Sequence, residues 1–285
     1  MSAGPLAAGP AGAAAPGAGP LGGAPAPGGP RPWVLAESTW REVRDRPVDV
    51  AVLPWGATEP HNLHLPYSTD TYLAEHVAAE SAGRAWELGA RPVVLPAVPF
   101  GVQTTQLDLR LCLNVMPSTQ LALLGDLAAS LAGQGVRKLV LLNAHGGNEF
   151  RPLVRELAAR VRLFVCVVNW WQVVPAGGYF DAPGDHAGEL ETSALLHARP
   201  ALVRPLAEAG PGDERRAVLR AMRERWAWAP RPWTQVTADT GVGDPRAATA
   251  ERGARFVDAA CAAIAGFLAE LEAADPAALY EAPFE

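Results

Sequence analysis

Three short stretches of the chain concentrate carboxylates, imidazoles and glycines at spacings that could hold cations. The first, Leu53-Pro-Trp-Gly-Ala-Thr-Glu-Pro-His-Asn-Leu-His-Leu-Pro-Tyr-Ser-Thr-Asp70, packs Glu59, His61 and Asp70 into twelve residues. Carboxylate oxygen and neutral imidazole nitrogen are the usual ligands of Zn, Mn and related divalent ions. Glu59 and His61, two apart in an extended segment, can point to the same side. The second stretch is Asn143-Ala-His-Gly-Gly-Asn148. Here Gly146 and Gly147 would let the backbone turn tightly beside His145, and the amides of a following helix start would favour a substrate carboxylate or oxyanion. The third, Gly184-Asp-His-Ala-Gly-Glu-Leu-Glu-Thr-Ser193, adds Asp185, His186, Glu189 and Glu191 at the start of an apolar helix.

Each stretch also has a plain reading. Glu189 and Glu191 suit any helix N-terminus, and a lone His145 could be a hydrogen-bonded core residue. Three separate loops delivering the same ligand chemistry outweigh those readings taken singly. His76 and His197 lie in helical segments without an acidic cluster and read as structural; His64 follows the ligand pair with no assigned partner.

The elements that must position these residues are legible in the apolar pattern. Val48 to Leu53, Pro92 to Val98, Lys138 to Asn143 and Leu163 to Asn169 are short Val- and Leu-rich runs, the pattern of strands buried on both faces. Helical periodicity fills Thr71 to Leu88, Ser118 to Gly133, Glu149 to Arg160, Glu189 to Ala198 and Arg246 to Ala273. Ser118 can cap the second of these, Gly135 can stop it in a left-handed conformation, and Asp244 with Pro245 can open the last. The alternation predicts an α/β domain with a mainly parallel sheet, and such sheets bind ligands beyond the carboxyl ends of their strands. His145 follows one strand end, and the Glu59 stretch follows another.

Composition narrows the function class. With 285 residues, 49% of them hydrophobic, the chain can bury one enzyme-sized core. A net charge of -6 without a Lys/Arg run longer than two residues argues against nucleic acid and membrane surfaces as partners. No apolar stretch approaches the roughly 20 residues of a membrane span. Cys112, Cys166 and Cys261 are odd in number and set among apolar residues, as reduced core thiols are, so a soluble cytoplasmic protein is expected. Met1 to Pro30, nearly all Ala, Gly and Pro, reads as a disordered tail ahead of one domain over 31–285; it lacks the basic start and apolar block of a signal peptide.

These motifs together resemble the creatininase family: Gly56-Ala-Thr-Glu-Pro-His61, an Asp eleven residues after that Glu, the Asn143 to Asn148 turn, and His186-Ala-Gly-Glu-Leu-Glu-Thr-Ser193. The resemblance runs from about Pro32 to the last helix. It implies a three-layer α/β/α domain, usually a homo-hexamer, with two divalent ions, Zn or Mn with Fe possible, bridged by an aspartate and a water. Carried over, Glu59, Asp70 and His145 would hold one ion, and His61 with Asp70 the other. Creatininase completes its second site from a His-Tyr-Glu turn, where this chain has His145-Gly146-Gly147; Glu189 matches the alternative of other branches and is the expected fifth ligand. His186, with Glu191, is the expected catalytic pair, His186 as general acid. Gly146, Gly147, Trp171 and Asp185 are expected to meet the substrate.

A His-Phe-Pro-Gly-Thr pattern common in the family is missing between Phe100 and Pro117, so substrate contacts there should differ. The expected activity is hydrolysis of a non-peptide or cyclic amide C–N bond in a small molecule. A peptidase or formamide deformylase on the same fold, or a silent metal-binding protein, stand as alternatives. A nucleotide site is disfavoured, since neither Gly-x-Gly-x-x-Gly nor a phosphate-loop Lys is present. Trp226, Trp228 and Trp233 could cover a pocket, seal a subunit contact, or simply pack.

Overall fold

The computed structural model describes residues 29–281. The Ala/Gly/Pro-rich stretch through residue 28 therefore lies outside the described residues. Four strands, β1 (Val50–Trp55), β2 (Val93–Val94), β3 (Lys138–Asn143) and β4 (Phe164–Asn169), form one parallel sheet in the order β2-β1-β3-β4. Helices α1 (Trp40–Val43), α2 (Thr69–Glu87), α3 (Pro117–Gly133), α4 (Phe150–Ala158), α5 (Glu189–Ala198), α6 (Arg220–Arg223), α7 (Trp233–Val236) and α8 (Ala250–Ala273) surround it.

Alternation along the strands decides which helices cover which face. Val50, Val52, Val140 and Leu142 enter one buried cluster with Leu73 and Val77 of α2, Leu195 of α5, and Phe256 and Ile264 of α8. Ala51, Leu53, Trp55, Leu139 and Leu141 enter the other, with Leu124 and Ala128 of α3 and Phe150, Leu153 and Leu157 of α4. Because both faces of β1 and β3 are dry, these strands read as continuous apolar runs rather than alternating ones. The sheet is the middle layer of an α/β/α sandwich.

Local details differ from the expected boundaries for identifiable reasons. β2 is only two residues long because Pro96 has no N–H to continue the ladder. Leu95 still donates to the Val52 carbonyl at 2.8 Å, and pairing resumes as a single Trp55–Val98 bridge. Ser118 is not a cap: Met116 precedes α3 and Pro117 occupies its first turn, where its missing N–H costs nothing. The left-handed stop at Gly135 is present, with φ 86°. Helix α8 opens at Thr249, whose hydroxyl accepts from the Arg252 N–H at 3.2 Å, while Asp244 pairs with Arg246 instead.

At the amino edge of the sheet Lys138 is fully buried, its Nζ donating at 2.8 Å both to Asp49 and to the Glu272 carbonyl near the end of α8. An anion and a helix C-terminal carbonyl together neutralise that charge and tie β3 to α8, at the end of the sheet away from its ligand-binding edge. The cysteines are unpaired thiols, and burial pushes Cys166 up to about 12 and Cys261 up to about 11. No helix among the described residues is long and apolar enough to cross a membrane.

Helix α5 crosses α8 at Gly253, where an added Cβ would collide with the Ser193 carbonyl and lie 2.8 Å from the Ala194 nitrogen. A Gly→Ala change inside a helix normally gains about 1 kcal/mol of propensity. Here overpacking of about 1–3 kcal/mol should win. Gly253→Ala is therefore expected to lower stability in urea denaturation; an unchanged or raised midpoint would contradict this close crossing.

Candidate metal centre

The three motifs converge beyond the carboxyl ends of β1 and β3. Glu59 and His61 lie on the segment leaving β1, Asp70 in the first turn of α2, and His145 just after β3; His186 precedes α5 and Glu191 sits in its first turn. Glu59, His61 and Asp70 are at most 1% exposed. The ligand atoms fall into two groups that share one residue, Glu59–Asp70–His145 and His61–Asp70–Glu191, each with its atoms within 4.8 Å of one another. Asp70 Oδ1 lies 3.1 Å from His61 Nε2, and Asp70 Oδ2 lies 3.4 Å from His145 Nδ1. One carboxylate thus offers an oxygen to each group, as a bridging ligand does. Glu59, His61 and His186 form a third, overlapping group.

Each of the three histidines has one ring nitrogen fixed on a backbone carbonyl. His61 Nδ1 meets Glu59 at 3.0 Å, His145 Nε2 meets Val102 at 3.2 Å, and His186 Nε2 meets Pro60 at 2.9 Å. A carbonyl can only accept, so these nitrogens carry the protons and the opposite nitrogens face the carboxylates. His145 Nδ1 is 2.8 Å from Glu59 Oε1, and His186 Nδ1 is 3.7 Å from the same oxygen. Despite this crowding, buried Glu59 Oε1 and Asp70 Oδ2 have no donor directed at them. Such orphaned carboxylate oxygens are costly. Atoms that crowd together without hydrogen-bond direction converge on a point between them, which is how ligands surround a divalent cation.

Electrostatics support the same reading. Burial alone would lower the His61 imidazole, but Asp70, with Glu191 and Glu59 behind it, raises it to about 10. His145 is likewise raised well above the ordinary histidine value, against its burial, chiefly by Glu59 and Asp70. Glu59 and Asp70 stay below the usual carboxylate range although burial pushes them up, because His145 and His186 face the first and His61 and His145 the second. Burial raises Glu191. Without a metal, protons on the imidazoles are the cations that balance this cluster; a divalent ion can replace them.

The structure does not bring every expected residue to this cluster. Glu189 is fully buried but points elsewhere: one carboxylate oxygen accepts from the Ala182 N–H at 3.0 Å and the other is gripped by Arg252, which also holds Asp181. Glu191, two residues on, is the acid of α5 that joins His61 and Asp70, and its Oε2 accepts from the Ala187 N–H at 2.6 Å. Period-3.6 geometry puts residues two apart on different sides of a helix, so only one of the two acids can face the cluster. Asp185 is at the surface, 56% exposed and paired with Arg231 at 2.6 Å. Trp171 packs half-buried against the α2–α8 side of the core. Gly146 faces open space, and neither it nor Gly147 has positive φ. Gly147 is needed for room instead, because a Cβ there would strike the His145 ring and the Val102 carbonyl.

Other groups enter the site without a sequence signal strong enough to single them out. Gln106 Nε2 donates a short hydrogen bond to Glu59 Oε2. Trp233, buried in α7, sets its ring 5.4 Å from His186 at 89°, edge to face, whereas Trp226 and Trp228 are exposed. His64 is fully buried, its Nε2 2.8 Å from the Thr192 hydroxyl, linking the His61 loop to α5; burial lowers it to about 4. Asn62 and Ala187, each just after a clustered histidine, are left-handed at φ 55° and φ 51°. Non-glycine residues adopt this conformation at a cost, typically where a functional site over-determines the backbone.

Asp70→Asn should remove both bound ions, Glu191→Gln one of them, and Glu189→Gln neither, while the last lowers stability through its buried link to Arg252. Metal analysis of the purified variants checks this; two ions retained in Asp70→Asn would refute the shared bridge. Because the imidazole protons must leave before an ion can enter, metal affinity should fall as pH is lowered. Chelator competition at several pH values measures it, and a pH-independent affinity would contradict the site.

A family model described as creatininase, creatinine amidohydrolase, matches residues 36–268. The mycofactocin precursor peptide peptidase of Mycobacterium ulcerans (strain Agy99) is 32% identical over 227 residues, which cover 77% of this chain and 81% of that protein. A crystal structure from Bacteroides fragilis NCTC 9343, provisionally named a creatinine amidohydrolase, matches with TM-score 0.83 and 43% identity over 88% of this chain and 99% of that one. A creatininase structure described as the Mn form shares the fold, with TM-score 0.68 and 23% identity over 84% and 98% of the two chains. Family model, relatives and fold agree, and the chain belongs to the creatininase family of metal-dependent hydrolases.

Proposed function

We propose that the protein is a binuclear metal hydrolase that cleaves an amide bond in a peptide substrate. Glu59, Asp70 and His145 would hold one divalent ion, and His61, Asp70 and Glu191 the other. The Asp70 carboxylate, turned with one oxygen to His61 and the other to His145, is the observation that carries this reading. Mixed nitrogen and oxygen ligands suit Zn and Mn, with Fe possible. Bound there, two such ions supply an activated water and polarise the scissile carbonyl.

The chain's own residues do the rest. Carbonyl anchors on Glu59, Val102 and Pro60 keep three imidazoles in one tautomer and one orientation. His186 directs Nδ1 toward Glu59 while Trp233 packs against its ring. Its Nδ1 would be the atom that passes a proton to the departing nitrogen as general acid. Glu191, expected as its catalytic partner, is better read as a ligand because its atoms group with His61 and Asp70.

A peptide is preferred over creatinine as substrate because a relative 32% identical over 77% of this chain is a peptide peptidase. Phe100, Leu107, Leu111 and Leu113, on the connection that also supplies Gln106, are exposed and would offer apolar surface to side chains of a peptide. Hydrolysis of a cyclic amide is the second reading, favoured by the description of the matching family model. Exposed Trp226 and Trp228 suit contacts between copies of the chain in a homo-oligomer.

Short peptides, creatinine and formamides offered to the metal-loaded protein test the reading. Release of a new amine from peptides is expected, and turnover of creatinine alone would move the assignment to the cyclic amide. His186→Ala should lower kcat by about a hundredfold to ten-thousandfold with both ions retained; undiminished turnover would remove His186 from the acid role.

A further inference from the structure

The two oxygens of Glu59 meet different parts of the chain, and only Oε2 receives a hydrogen bond. Oε1 faces His145 and His186, while Oε2 accepts the short hydrogen bond from Gln106. Gln106 is 5% exposed, and only its amide nitrogen can donate to a carboxylate, so the orientation of its carboxamide matters. Behind it, Cys112 Sγ lies 3.7 Å from Gln106 Oε1, the right partner for a weak S–H donor. Burial, with Glu59 and Asp108 nearby, pushes the Cys112 thiol up to about 12, so the S–H persists at neutral pH.

This arrangement is built into the connection between β2 and α3. Successive turns carry it: the Gln106 N–H donates to Gln103 at 3.0 Å, Leu109 to Gln106 at 3.0 Å, and Cys112 to Leu109 at 3.2 Å. Leu113 then donates to the Thr58 carbonyl at 3.0 Å, fastening the connection to the residue just before Glu59. The hydrogen bonds run from thiol to carboxamide to carboxylate.

We propose that Gln106 is a positioning residue of the first metal site: oriented by the Cys112 thiol, it occupies Glu59 Oε2 so that Glu59 presents only Oε1 to the ion. This rests on reading the cluster as a binuclear metal centre. A carboxylate held in this way would not swing to bind an ion through both oxygens, which would leave room beside it for water or substrate. Gln106→Met keeps length and bulk but cannot donate, and Cys112→Ala removes the orienting donor while Cys112→Ser keeps one.

The test is chelator competition for Zn on purified wild type, Gln106→Met, Cys112→Ala and Cys112→Ser, with melting temperatures of the metal-free forms alongside. In Gln106→Met one ion should bind about 10- to 100-fold more weakly while the other is unchanged, as for loss of a partner that orients a ligand. That loss should vanish in a Glu59→Gln background, a coupling that a general loss of packing would not give. Cys112→Ala should shift the same ion in the same direction by less, and Cys112→Ser should restore it; this pair carries the test if Gln106→Met does not fold. Wild type binding two ions with Gln106→Met unchanged would overturn the role of Gln106 alone. Wild type binding no ion would overturn the metal-centre reading, and the inference with it.

Discussion

Everything at the carboxyl edge of the sheet depends on keeping Asp70 ionised while it is buried between two groups of candidate ligands. An isolated buried carboxylate would take up a proton. Asp70 avoids this by facing His61 with one oxygen and His145 with the other, and by sitting in the first turn of α2, where the helix dipole favours negative charge. Its acidic neighbours work against this, since like charges favour protonation, so the histidines carry the burden. Glu59 and Glu191 supply further negative charge, and the histidines, or the ions that displace their protons, supply the balance.

Rigidity comes from a layer of hydrogen bonds behind the ligands. Asn143 reads both backbone groups of His145, accepting from its N–H at 3.1 Å and donating to its carbonyl at 3.0 Å. Asn148 donates to Asn143 at 3.1 Å and accepts from Gln120 of α3 at 2.8 Å, so the turn after β3 is tied to the helix beneath it. On the opposite side, Glu189 and Arg252 join the loop before α5 to α8, and His64 with Thr192 joins the first motif to the third. The cluster is thus supported from both helical layers, which restrains ligand geometry more tightly than loops alone could.

The same scaffold separates the chemistry from the choice of substrate. The candidate metal ligands come from strand ends and first helical turns, whereas the groups packed beside them come from the long β2–α3 connection and the segment around α7. Those segments bring Gln106 to Glu59 and Trp233 to His186, and the first also carries exposed Leu107, Leu111 and Leu113. Loops on a packed α/β core can change without loss of the core, which allows relatives on one fold to act on different amides.

Much of this was legible in the chain itself. Strands buried on both faces announce themselves as unbroken Val- and Leu-rich runs, and ligand types two apart after β1 or beside Gly147 after β3 mark a candidate cation site. That Glu59, His61, Asp70 and His145 belong to one cluster was readable, because three fall in one short stretch and the fourth follows another strand end at the same edge of the sheet. The choice between Glu189 and Glu191 was not, since both are acids in one helical turn and only the packing of α5 on α8, with Arg252 beneath Glu189, decides which faces the cluster. Gln106 and the carbonyls of Val102 and Pro60 were equally hidden, the sequence could not single out Trp233 from Trp226 and Trp228 as the one beside His186, and Asp185 and Trp171 looked closer to the site than they are. Sequence determines which groups are available and which elements form from local periodicity and sterics. Which side of an element meets which neighbour is a property of long-range packing, and only the tertiary structure decides it.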